Sequence, residues 1–276
     1  MLSSGFRCVA HCRASLLGSM RAMSSSTSSS PLIKKELHSD DKIVRLVLND
    51  SKRRNALSFE MIEGLHAELE TVGKNKKHHA VILAAEGPAF SSGHDLKQLR
   101  WEVGAKKIQE TFRKCSDLML LVQNIEIPVI AEVNGIAAAA GCQLVTSCDI
   151  AVAGKSSKFS VPGAKIGLFC STPGIPLART IPRKIALEML CTGDYIDAEK
   201  ALCAGLVSRV VDDSKVADEA MKVAEKIASL SRPVIAIGKK FFYSQVELPV
   251  HDAYRSVNSQ NVLDFEKNSF KIVNTK

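Results

Sequence analysis

Two runs of small residues stand directly ahead of segments with helical character, where backbone amides are available for chemistry. The first is Asn134-Gly135-Ile136-Ala137-Ala138-Ala139-Ala140-Gly141-Cys142-Gln143-Leu144, preceded by an apolar run from Ile130 and followed by Cys148-Asp149-Ile150-Ala151. The second is Gly87-Pro88-Ala89-Phe90-Ser91-Ser92-Gly93-His94-Asp95-Leu96. Small side chains at a helix entrance let a ligand come close to unpaired N–H groups, where the helix dipole favours negative charge. The chemistry that fits is stabilisation of an oxyanion by backbone alone. Close packing of a helix against its neighbours explains the same residues without any chemistry.

Few side chains near these runs suit acid–base work. His94 has a titratable ring, and Asp95 and Glu132 are carboxylates. Gln143 can hold a carbonyl or a water, but an amide cannot take and return a proton near neutral pH. Asp95 also suits a helix cap and Glu132 a buried ion pair. Arg53 and Arg54, just before Asn55-Ala56-Leu57-Ser58, either hold phosphate or form a solvated basic turn. Of eight cysteines none has metal-ligand or redox spacing. Cys115, Cys142, Cys148, Cys170, Cys191 and Cys203 read as small buried hydrophobes, and Cys8 and Cys12 fall in the leading segment. His78-His79, after Lys76-Lys77, reads as a solvated loop. Neither a metal nor a resident cofactor is expected.

These residues need elements to position them. A hydrophobic content of 46% over 276 residues suffices for one large core. No apolar stretch approaches the roughly 20 residues needed to span a bilayer. Residues 1–30 are set apart by Arg7, Arg13, Arg21, a serine tract and the absence of any acidic residue before Glu36. That composition predicts a mitochondrial transit peptide. The formal charge is +8; without those three arginines it is +5, a surplus that suits anionic metabolites. Aromatics are only 5% and no aromatic-interleaved basic motif is visible, which argues against RNA. The clusters Lys74-Asn75-Lys76-Lys77 and Lys106-Lys107 are explained by solvated faces.

Ile43 to Leu48 predicts an opening strand, and Ser58 an N-cap for a helix carrying Met61, Ile62, Leu65 and Leu69 on one face. The continuous apolar run Ala80–Ala85 predicts a strand covered on both faces. A helix is expected soon after Leu96, and another pattern from Trp101 to Val122 takes Phe112, Leu118, Met119, Leu120, Leu121 and Val122 as core. Further strands are expected from Ile150 and Val207, and an amphipathic helix from Val216 to Leu230. No fixed-period repeat is visible. Strands alternating with helices predict an α/β fold whose C-terminal third is helical.

Arg54-Asn55-Ala56-Leu57, Ala89-Phe90-Ser91-Ser92-Gly93-His94-Asp95-Leu96, Asn134-Gly135 through Gly141-Cys142, Cys148-Asp149-Ile150-Ala151, Thr192-Gly193 and Ala201 to Val207 occur in this order. Together they resemble the crotonase (enoyl-CoA hydratase/isomerase) superfamily over roughly residues 32 to 245. The resemblance implies a crotonase-like spiral of repeated ββα units in a core of residues 31–230. It also implies a helical trimerisation region over 231–276 and assembly as a homotrimer or hexamer. The implied ligand is an acyl-CoA thioester, with coenzyme A as part of the substrate. Its oxygen would be held by the amides of His94 and Ala140. Asp95, Leu96 and Lys97 would line the coenzyme A path, and Arg53, Asn55, Ala56 and Leu57 would approach its adenine and phosphates.

The chain departs from the family pattern where hydratases carry two glutamates. Gln143 stands at the first position and Gly163 at the second, and Ser171 occupies a position used as an acid by other members. Missing acid–base help typically costs about 10²–10⁴-fold per group, so ordinary hydration is expected to be feeble. Thioester hydrolysis and decarboxylation make other demands. The familiar C-terminal ending is also absent after Tyr243, which weakens the expected trimer. The resemblance thus implies a mitochondrial matrix protein of fatty-acid metabolism, either an acyl-CoA enzyme with little hydratase activity or a non-catalytic acyl-CoA-binding regulator. An RNA-binding member is a lower alternative.

Overall fold

The computed structural model describes residues 31–257. The arginine- and serine-bearing leader and the unusual ending beyond residue 257 lie outside the described residues. The chain opens with an antiparallel hairpin, β1 (Ile33–His38) and β2 (Ile43–Leu48), followed by helix α1 (Phe59–Lys74). Ser58 accepts a hydrogen bond from Met61 N–H at 3.2 Å, and Met61, Ile62, Leu65 and Leu69 are buried, as the pattern requires.

Three successive turns of long strand, three-residue strand and helix then follow. They are β3 (Ala80–Ala85), β4 (Ala89–Ser91) and α2 (Ala105–Asn124); β5 (Val129–Val133), β6 (Ile136–Ala138) and α3 (Ala140–Ser147); and β7 (Ile150–Gly154), β8 (Lys158–Ser160) and α4 (Ser171–Thr180). With β10 (Arg209–Val211) and β9 (Ile196–Asp197) the strands form two sheets, of order β1-β2-β3-β5-β7-β10 and β4-β6-β8-β9. Strands β2, β3, β5, β7 and β10 run parallel, as do β4, β6 and β8, while β1 and β9 pair antiparallel at the edges. This is the repeating ββα spiral. The chain continues through α5 (Arg183–Thr192), β9 (Ile196–Asp197), α6 (Ala198–Ala204), β10 (Arg209–Val211), α7 (Val216–Ala228), α8 (Arg232–Gln245) and α9 (Val250–Val257).

Alternation along β3 explains its continuous apolar run. Val81 and Leu83 face the main core with α1 and α2, while Ala80 and Ile82 face the smaller cluster under α7. Buried polar groups anchor α8. Lys239 Nζ donates to the Val122 and Ile127 carbonyls (2.8 and 3.1 Å) and to Asp149 Oδ2 (2.7 Å), while Tyr243 donates to Asp149 Oδ1 (2.9 Å). Asp149 therefore ties α8 to the core.

Several expectations are corrected. No helix follows Leu96 directly; turns and a 3-10 segment at Trp101–Val103 lead to Gly104, and α2 starts at Ala105. Leu120 is 56% exposed, since two residues along a helix from Leu118 and from Val122 is nearly the opposite face. Cys191 and Cys203 are exposed, on α5 and α6. His78 is buried, its Nδ1–H donating to the Asp41 carbonyl at 2.6 Å.

Candidate functional site

The two small-residue runs meet. Leu57 N–H donates to the Gly93 carbonyl at 2.7 Å, and Ser91 Oγ donates to the Asn55 carbonyl at 2.8 Å, so the turn before α1 holds the second run in place. Glycine is required at Gly93, where φ is +88° and a Cβ would lie 2.8 Å from Ala139 Cβ and 3.1 Å from the Ala140 nitrogen. At Gly141 a Cβ would overlap the Ser91 carbonyl oxygen. His94 thus follows a residue in contact with the start of α3. Ala139, the N-cap, has φ 49° and no side-chain cap. The Ala139 carbonyl accepts from Gln143 N–H at 3.0 Å, the first closed turn of α3, so the amides from Ala140 to Cys142 are its unpaired first-turn donors.

Beside this corner lies a cavity of about 310 Å³ lined by Arg53, Ala56, Ser92, His94, Asp95, Leu96 and Lys97. Arg53 pairs with Asp50 at 2.6 Å and approaches Asp95 at 3.6 Å. Asp95 Oδ1 accepts from Lys97 N–H at 3.0 Å, closing a turn where a helix cap was expected. Four of the ten candidate residues do not line the cavity: Ala140 and Gln143, both on α3, and Leu57 and Asn55. Leu57 is core. Asn55 is fully buried: its Nδ2 donates to the Glu86 and Ala89 carbonyls, and its Oδ1 accepts from Asp50 N–H, all at 2.8 Å. It shapes the loop, and its αL backbone (φ 50°) suits asparagine.

The His94 ring packs edge-on against Phe112, with centroids 5.1 Å apart, and its Nδ1–H makes a long 3.4 Å bond to the Leu57 carbonyl. Burial pushes its pKa below the ordinary imidazole value, keeping the ring neutral. Gln143 is 4% exposed with Oε1 unpartnered, and Ser160 is fully buried with Oγ unpartnered. Sequence reasoning passed over Ser160, which ends the three-residue strand β8, too short to show which face a residue takes.

Gly163 is closed to any side chain. A Cβ there would overlap the Leu168 carbonyl oxygen and lie 2.7 Å from Cys170 Sγ, which accepts a hydrogen bond from Gly163 N–H at 3.2 Å. Ser171 opens α4 and is exposed. Glu132 is held bidentately by Arg45 at 2.7 and 2.8 Å, as a buried ion pair. Lys74 and Lys76, from the basic clusters, pair with Glu70 and Glu126, both at 2.7 Å.

The model of the enoyl-CoA hydratase/isomerase family matches residues 38–272. Enoyl-CoA hydratase domain-containing protein 3, mitochondrial, from Homo sapiens is 50% identical over 224 residues, covering 81% of this chain and 74% of that protein. The protein of the same name from Danio rerio is 42% identical over 259 residues, covering 94% and 88%. The crystal structure of human enoyl coenzyme A hydratase domain-containing protein 3 matches with TM-score 0.82 at 47% identity, over 86% of this chain and 92% of that one.

Proposed function

The chain belongs to the enoyl-CoA hydratase/isomerase family, and on that premise we propose that it binds an acyl-CoA thioester and polarises its carbonyl with two backbone amides, without efficient enoyl-CoA hydration. The contact of Gly93 with Ala139 and Ala140 carries this reading. It supports the His94 and Ala140 N–H groups as donors to one thioester oxygen. One such donor is typically worth about 3 kcal/mol to a transition state that develops negative charge on that oxygen. The adjoining cavity, with Arg53 and Lys97 on its wall, suits an anionic coenzyme A moiety.

The weak hydratase half rests on Gln143 and Gly163. Neither transfers a proton, and at Gly163 the Leu168 carbonyl fills the space a longer side chain needs. That closure also favours a second reading, a non-catalytic acyl-CoA-binding regulator of lipid metabolism. The readings separate in two measurements on the full chain. Loss of enoyl-thioester absorbance with crotonyl-CoA at rates ordinary for a hydratase contradicts the account of the missing glutamates. A melting shift with at least one acyl-CoA in a chain-length panel is expected, and none with any of them removes both readings.

The names of the relatives, together with the composition of residues 1–30, support a mitochondrial location, and the matrix is the proposed compartment. A homotrimer is the proposed assembly. Exposed Ile166, Leu168, Phe169 and Ile175 are apolar surface that assembly would cover, and light scattering at the trimer mass is the test.

A further inference from the structure

Trp101 is the one tryptophan of the chain and, among the described residues, the most exposed of the large apolar side chains, at 81%. No ring contact or hydrogen bond holds its indole there. It lies in a run of tight turns between the cavity wall and α2. Gln98 N–H donates to the Asp95 carbonyl at 2.9 Å and Leu99 N–H to that of Leu96 at 3.3 Å. Val103 N–H donates to the Arg100 carbonyl and Gly104 N–H to that of Trp101, both at 3.0 Å, and Lys107 N–H to that of Gly104 at 3.1 Å. Turns closed three residues apart advance only about 2 Å per residue, so residues 96–107 stay compact and their outward side chains share one patch.

Gln98 fastens the inner side of this run. Its Oε1 accepts from Phe59 N–H at 2.7 Å and its Nε2 donates to Glu60 at 3.0 Å, while Leu99, Val103 and Ile108 are half-buried. On the outside are Trp101, Leu96 at 57% exposure, and the exposed cations Lys97, Arg100, Lys106 and Lys107. None of the four cations is ion-paired among the described residues, although Lys107 lies within electrostatic reach of Glu60. Glu102 is the only acidic residue in 96–107, which leaves a net charge of +3. An indole ringed by cations suits an anionic bilayer surface. Tryptophan settles at the membrane–water boundary with its ring in the apolar side and its N–H in the wet one. Each cation near such a surface is worth about fivefold in partitioning. A protein partner is a poorer match, because lysine is depleted from protein interfaces and one indole with one leucine is a small part of the roughly 1,600 Å² that a stable one buries. A nucleic acid would find a single ring to stack on.

We propose that the turns of residues 96–107 dock on the surface of an anionic lipid bilayer, with Trp101 and Leu96 entering the headgroup boundary and Lys97, Arg100, Lys106 and Lys107 facing the anionic headgroups. The chain lies on the bilayer through this patch; no helix among the described residues is long and apolar enough to cross it. Leu96 and Lys97 also line the cavity beside Arg53, so docking brings that cavity to the lipid surface. The inference goes beyond the thioester site and does not depend on it.

Because Trp101 is the only tryptophan, the intrinsic fluorescence of the full chain reads this patch alone. Vesicles of phosphatidylcholine mixed with phosphatidylserine are expected to move the emission from that of a water-exposed indole to shorter wavelength, and brominated acyl chains in them to quench it. Vesicles of phosphatidylcholine alone are expected to leave it in place. Lys106→Ala/Lys107→Ala, outside the cavity lining, is expected to need about 25-fold more anionic lipid for half the shift. Sedimentation with anionic vesicles while the emission stays in place means that the basic leader of residues 1–30 alone holds the chain, and overturns the inference. So does an equal shift on neutral vesicles, or a double variant that responds as wild type does. A shift that butyryl-CoA, a single-stranded oligonucleotide or a higher protein concentration produces and anionic vesicles do not also overturns it, in favour of a lid, a nucleic-acid contact or a contact between copies. The two readings fail separately, since loss of every acyl-CoA melting shift bears on the thioester site and not on this patch.

Discussion

Replacing Gly163 by alanine tests whether the second glutamate position is closed by the fold itself. Gly163 lies in the 3-10 turn Pro162–Ile166, and its carbonyl accepts a hydrogen bond from Leu168 N–H at 2.9 Å. That bond folds the Leu168 carbonyl back over the Gly163 Cα, so a methyl group there would overlap backbone, which cannot rotate away. Opening the turn forfeits the Leu168 bond, a net of about 1 kcal/mol. Forcing the methyl against Cys170 Sγ adds overpacking of about 1–3 kcal/mol. The total of about 2–4 kcal/mol corresponds to a fall in melting temperature of roughly 5–15 °C for a chain of this size. The control is Gly238→Ala in α8, where a Cβ meets nothing within 4 Å. It is expected to stabilise by about 0.5–1 kcal/mol, because alanine loses less conformational entropy in a helix. Melting curves of both variants decide the matter. A Gly163→Ala protein that melts within about 2 °C of wild type refutes the closure. If the closure holds, Gly163→Glu cannot install the missing group, and a Gln143→Glu/Gly163→Glu pair will not become a hydratase.

Other positions give sharp expectations. Asn55→Ala leaves three backbone groups without partners and is expected to cost about 2–4 kcal/mol in urea unfolding; a cost below about 1 kcal/mol contradicts the loop-shaping role. Glu132→Gln leaves half-buried Arg45 with Glu36 as its remaining carboxylate partner and is expected to destabilise by about 1–2 kcal/mol without changing acyl-CoA affinity; a selective loss of affinity would instead place Glu132 in the chemistry. His94 favours the neutral ring in the folded chain, since burial holds its pKa below the ordinary value near 6.5. Its contribution is present above that value and is lost as pH falls through the folded pKa, at most about 1.4 kcal/mol per unit. His94→Asn should therefore flatten the loss of stability between pH 6.5 and 5. A slope unchanged from wild type over that window contradicts the assignment. The carboxylates Glu36, Glu60 and Glu126, shifted downward, act only below their ordinary range. His79, also lowered by burial, acts in the same window, so His94→Asn is expected to lessen the loss relative to wild type and not to abolish it.

Where local pattern and burial agree, as in α1 with Ser58 and in β3, the elements were legible from residue types alone. The hairpin strand β1 was not. It sits at the sheet edge carrying Lys34, Lys35 and Glu36, and its turn uses Ser39, Asp40 and Asp41 at positive φ with no glycine to announce it. The strands β4, β6 and β8 have three residues each, too few to show a period of two. This is why the ββα repeat could not be read from periodicity and entered the sequence reading only through the family resemblance. The meeting of Gly93 with Ala139 was foreshadowed by small residues at both places, but its distance depends on contacts 46 residues apart. Closure of Gly163 by a backbone carbonyl has no side-chain signature at all. Asn55 shows the converse: the residue type is informative, and its buried side chain is engaged with three backbone groups of the loop.

The central claim is that two backbone amides polarise a thioester carbonyl. Isotope-edited infrared difference spectroscopy of butyryl-CoA labelled with carbon-13 at its thioester carbon reads this directly, because hydrogen bonding weakens that carbonyl bond. On binding to the full chain, the labelled stretch is predicted to move to lower wavenumber than in water, and to do so equally in His94→Asn, which keeps the backbone donor. A bound carbonyl stretch at its aqueous position, or a shift abolished by the side-chain change, contradicts the claim.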